Sequence, residues 1–78
     1  MSSIEAQVKE VIAETSRRRP EDIRNDATLS EDLSLDSMNA VEIVTILEER
    51  CQVEISDQAA EGFKRVQDVI DYITARKQ

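Results

Sequence analysis

The sequence has no histidine, and only one glycine, one proline and one cysteine among its 78 residues. Without histidine there is no Ser–His or Cys–His pair to activate a nucleophile, and the commonest zinc ligand is missing. The reading is therefore a non-enzyme, with no catalytic residue and no metal site. A lone cysteine, Cys51, cannot form a disulfide within the chain. No apolar run is long enough to span a bilayer and no secretory leader is recognisable. The expectation is a cytoplasmic protein without membrane insertion. Repeats and low-complexity tracts are absent too, and the one strand-like stretch, "QVEI" at 52–55, has no partner strand.

What the chain does have is acid. Its net charge is −7, from 17 acidic and 10 basic side chains. Between Asp26 and Glu61 ten acids face a single base, Arg50, so that segment carries −9 and the remainder +2. Nucleic acid would be repelled by such a surface. A basic protein surface would be attracted to it. At this length one domain, residues 1–78, is expected, burying roughly 60–65% of its unfolded surface.

Periodicity predicts helices. Ser2 or Ser3 can cap the first, Ser2 and Glu5 have capping-box spacing, and Ile4, Val8, Val11 and Ile12 form one stripe. The pattern fades before Pro20, and Arg17, Arg18 and Arg19 suit the negative end of a helix better than a nucleic-acid patch. From Pro20 to Leu35 runs a long connection whose Ile23, Leu29, Leu33 and Leu35 should pin it over the core. A second helix is expected from Asp36 to about Arg50. Ala40, Ile43, Val44, Leu47 and Cys51 lie within an arc of about 100° on its inner side. Met38, Val41, Glu42, Thr45, Glu48 and Glu49 lie opposite. A short third helix should be capped by Ser56 and stopped by Gly62 in the left-handed region. The last carries Val66, Val69, Ile70 and Ile73 and has no good cap at Lys64 or Arg65. The fold expected is all-α: a small four-helix bundle, three helices longer and one short, with a long loop between the first and second.

Ser37 stands at the start of the second helix. With Asp36 as the cap, its hydroxyl becomes free at the helix mouth, where unpaired N–H groups and the positive dipole end favour a phosphate. Lacking a base, it suits a substrate of another enzyme better than a nucleophile. A calcium loop is excluded. Asp32, Ser34 and Asp36 fall at its first, third and fifth positions, but Ser37 replaces the glycine at the sixth and Ile43 the glutamate at the twelfth.

The segment "EDLSLDSMNAVEIVTILEE" resembles the signature of acyl carrier proteins, in which Asp-Ser-Leu or Asp-Ser-Met opens the second helix. "VEISDQAAE" and "VQDVIDYI" resemble the third and fourth helices of that family, so the resemblance covers nearly the whole chain. It implies a 4′-phosphopantetheine arm joined to Ser37 by a phosphodiester, installed from coenzyme A by a phosphopantetheinyl transferase. The arm's thiol would carry acyl groups as thioesters, in fatty-acid or related lipid or polyketide biosynthesis, and the acyl chain could tuck into the bundle. The resemblance also implies docking by acyl-processing enzymes with basic patches. The matching positions are Asp36, Met38, Val41, Glu42, Glu48 and Glu49, and the state expected is a monomer.

Departures from the family pattern are Ser34 for a frequent glycine, Asn39 for a frequent acid, Arg50 and Cys51 for an acid and a phenylalanine, and Ser56 for a proline. Asn39 and Arg50 weaken the acidic face. An inward Cys51 could enlarge the acyl pocket, although a small buried hydrophobe is its simpler role. Such changes hint at a specialised carrier. The alternatives are an aminoacyl or peptidyl carrier, which shares Ser37 and the arm, and a helical adaptor whose serine is never modified.

Overall fold

The computed structural model describes residues 3–77. Four α-helices follow in order: α1 (Ile4–Ser16), α2 (Ser37–Cys51), α3 (Asp57–Gly62) and α4 (Val66–Lys77). A single 3-10 turn, Pro20–Asp22, lies in the first connection. No strand occurs among the described residues; Thr28 and Arg65 form an isolated bridge. The all-α bundle expected from periodicity is the one observed.

Ser3 caps α1, its hydroxyl accepting from the Ala6 N–H at 3.1 Å; the Ser2 capping box lies outside the described residues. The helix ends with Arg17 in the left-handed region (φ 58°), its N–H and that of Arg18 bonding back to Glu14 and Ala13. The three arginines thus stand just past the last turn. The stretch "QVEI" is the exit of α2, not a strand: Gln52 is left-handed (φ 54°), and the Val53 N–H returns to the Glu48 carbonyl at 3.2 Å. Gly62 is not the left-handed stop expected of it. It is the last residue of α3, whose cap is Phe63 at φ −74°, and no glycine has a positive φ. The left-handed positions are taken by Arg17, Ser34 and Gln52 instead.

The core joins Val8, Val11 and Ile12 of α1 to Ile43, Leu47 and Cys51 of α2 and to Val66, Val69, Ile70 and Ile73 of α4. The long connection is packed down as its apolar anchors require, burying Ile23, Ala27, Leu33 and Leu35. Its backbone also supplies what α4 lacks in sequence. The N–H groups of Val66 and Gln67 donate to the carbonyls of Ala27 and Asn25, and the Leu29 N–H donates to the Lys64 carbonyl. From within α4, one Asp68 carboxylate oxygen accepts from the N–H groups of Lys64 and Arg65. The helix without a cap residue is therefore well capped, by carbonyls distant in sequence. Asn25 reinforces the junction, its amide donating to Glu5 at 3.0 Å and to Gln67 at 2.8 Å.

Candidate functional site

The mouth of α2 is built by four successive residues. Ser34 adopts φ 54°, turning the chain so that Leu35 drops into the core and its N–H reaches the Leu29 carbonyl at 2.9 Å. Asp36 then stands extended as the cap. Its carboxylate accepts from the Asn39 N–H at 2.9 Å, and the Asn39 side-chain oxygen accepts from the Asp36 N–H at 3.2 Å, a reciprocal capping box. Asn39, standing in place of an acid, completes the box through its side-chain oxygen.

With Asp36 and Asn39 occupied by each other, Ser37 is the first helical residue. It is exposed, and its hydroxyl enters no hydrogen bond among the described residues. The Asn39 amide is taken by the cap and that of Ala40 by the Asp36 carbonyl. The amides of Ser37 and Met38 are the orphan donors of this helix start. A phosphodiester on the Ser37 oxygen would meet the positive end of a fifteen-residue helix. The residues present fit such a group.

Ser37 also stands on the lip of a cavity of about 820 Å³ between α2, the long connection and the α3–α4 junction. Its apolar wall comes from Leu29, Leu35, Ala40, Val44, Ala60 and Phe63, among others, while exposed Glu31, Asp57, Glu61 and Lys64 border it. The inner arc of α2 accordingly splits in two. Ile43, Leu47 and Cys51 are buried, whereas Ala40 and Val44 are half-buried and face the cavity. Cys51 does point inward, with Sγ 3.6 Å from the Gln7 side-chain oxygen, and burial pushes its thiol pKa up. It is not part of the cavity lining, so the enlarged pocket suggested for it does not follow.

On the outer face, Met38 and Val41 are the two exposed large hydrophobics, at 80% and 64% exposure, with Glu42 and Glu49 exposed around them. Asp36 is exposed but committed to its cap. Glu48 is half-buried and accepts from the Ile55 N–H at 3.1 Å. Arg50 lies 3.8 Å from Glu10 of α1. Sequence reasoning passed over the part of the cavity wall formed by Ala60 of α3, Phe63 just after it and Leu29 of the long connection. The available signal was an aromatic residue in a break between helices.

The sequence profile of the phosphopantetheine attachment site matches residues 6–73. The chain belongs to that family. Phosphopantetheine is accordingly the prosthetic group its domain is built to bear. The fold agrees. A protein of Mycobacterium tuberculosis assigned as an acyl carrier protein superposes with a TM-score of 0.86 at 26% identity, over 94% of this chain and 97% of that one. This member of the family is thus a carrier protein with the acyl carrier fold. No helix among the described residues is long and apolar enough to cross a membrane.

Proposed function

We propose that this protein carries acyl intermediates on a 4′-phosphopantetheine arm attached to Ser37, delivering them in the cytoplasm to enzymes of fatty-acid or related lipid or polyketide biosynthesis. The arm, when bound, supplies a flexible thiol that holds acyl groups as thioesters. The chain itself performs no catalysis. The observation that carries the reading is the free hydroxyl of Ser37, exposed at a capped helix mouth on the lip of an apolar cavity. Asp36 and Asn39 fix the helix start so that a transferase can approach the hydroxyl without competition from the cap. The cavity offers an attached apolar chain a place out of water, at about 0.8 kcal/mol per methylene buried.

Partner enzymes dock, in this reading, on the outer face of α2. Met38 and Val41 supply apolar contact, and Glu42 and Glu49 steer basic surfaces. Asp36 and Glu48 contribute charge while holding their internal hydrogen bonds. Exposed ion pairs of this kind are worth under ~1 kcal/mol each, which suits rapid exchange between enzymes.

The test is intact mass after incubation with coenzyme A and a broad-specificity phosphopantetheinyl transferase, beside Ser37→Ala. A gain of one phosphopantetheine on the wild type alone is expected. No gain with several transferases would leave Ser37 as a helix-start residue and favour an unmodified adaptor.

A further inference from the structure

Phe63 lines two cavities at once. On one side is the cavity that begins at Ser37; on the other is a shallower, more open groove of about 520 Å³ between α3 and α4, bordered by Gln58, Ala59 and Tyr72. Among the described residues it is the one side chain common to both linings. The ring is half-buried and stands edge-on to Tyr72, centroids 5.5 Å apart and planes at 73°. Tyr72 is in turn held by Arg76, whose guanidinium lies 4.9 Å from the ring and donates to the hydroxyl at 3.0 Å. Phe63 is thus the residue at which the cavity and the more open groove adjoin. Of the other lining residues, Ile43 and Val69 are buried and backed by the core.

We propose that Phe63 sets the length of the acyl chain this protein shelters, by closing the far end of the cavity. The inference rests on the reading that Ser37 bears the arm. A chain entering past Ser37 gains burial with each methylene until it meets the ring, and further methylenes stay in water. Each methylene that is buried shifts the sheltered-to-exposed equilibrium about fourfold. Trimming the ring joins the cavity to the groove and lets more of the chain in.

Wild type, Phe63→Ala and Phe63→Leu are converted to the arm-bearing form, checked by intact mass, and loaded with straight-chain acyl groups of increasing length. The readout is the rate at which neutral hydroxylamine cleaves the loaded thioester. In the wild type, protection should rise with length and then level off. Phe63→Ala should level off at least two methylenes later, with roughly tenfold or more extra protection for the longest chains. Phe63→Leu should show a smaller shift in the same direction, which keeps the test decisive if the alanine variant fails to fold. A wild-type plateau in the folded variants overturns the proposal, as does a wild type whose protection is independent of length. Failure of the wild type to accept the arm, seen separately by mass, removes the carrier reading and this inference with it.

Discussion

Replacing Leu47 and Val44 by alanine, one at a time, should separate the packed part of α2 from the part that faces the cavity. Both residues sit on the same apolar arc, three positions apart. Leu47 is completely buried within the cluster that joins α1, α2 and α4. Its truncation removes transfer free energy and leaves a void that neighbours only partly fill, a loss of about 2–5 kcal/mol. Val44 is half-buried and borders space that is already empty. Its truncation removes the equivalent of two methyl groups, about half of whose burial counts, so roughly 0.8 kcal/mol is lost and no new enclosed void forms. A domain of this length has about 4–12 kcal/mol in total. Leu47→Ala therefore consumes a large share of the stability, and Val44→Ala very little.

Urea unfolding followed by far-ultraviolet circular dichroism reads both losses directly, provided the slopes match that of the wild type. At about 4–8 °C per kcal/mol, melting should fall by about 3–6 °C for Val44→Ala and by about 8 °C or more for Leu47→Ala. A Val44→Ala loss above ~2 kcal/mol would refute the reasoning. It would mean that the arc is packed solid near Ser37 and that the cavity is closed in solution.

Four further outcomes follow from particular residues. The Asn25 amide holds the Glu5 carboxyl below its usual range, helped by Lys9, and Thr28 does the same for Asp32 through its N–H and hydroxyl. Folding then binds fewer protons than the unfolded chain, so this contribution is complete above the ordinary carboxylate values near 4.5 and 3.8 and is lost as pH falls through the lower folded ones. Asn25→Ala should flatten the acid side of a stability–pH profile, and an unchanged slope would count against the Glu5 contact. Ser34 occupies the left-handed region, where a β-branched side chain is most costly. Ser34→Val should therefore destabilise by about 1–2 kcal/mol while Ser34→Gly is neutral or stabilising in the same melts; equal losses would contradict that geometry. On the outer face, Glu42→Lys should leave melting within about 0.5 kcal/mol of wild type yet raise the transferase KM, most at low salt. Glu48→Ala should also cost stability, because it strips the Ile55 N–H of its acceptor; a Glu42→Lys KM independent of salt would sink the steering argument.

Helical periodicity gives the direction in which a side chain points but not which neighbour it meets, and the successes and failures of sequence reading divide along that line. Val66, Val69, Ile70 and Ile73 all point into the core as their spacing requires. The cap at Asp36 was legible because a capping box is local, four residues closing on one another. The Asp68 contact at the start of α4 is local, but the carbonyls that accept from its first N–H groups were not legible, since they belong to Asn25 and Ala27, about forty residues upstream. Gly62 misled because a glycine after a helix suggests a left-handed stop, whereas here the chain leaves α3 through Phe63 at negative φ. Cys51 and Val44 both face inward as their angle around the helix required, and Cys51 is the small buried hydrophobe, but the height along the helix that decides which of them lines the cavity was unknown. Ser37 and Cys51 are the two ends of α2, about 21 Å apart at 1.5 Å per residue. The cavity reaches along about the first two turns only, as far as Val44. A substitution at the far end can alter packing there but cannot size a chamber that begins at Ser37. Whatever distinguishes this carrier's cargo from that of its relatives should therefore be sought where the cavity closes, in the connections that bring Leu29, Ala60 and Phe63 together, rather than at the end of α2.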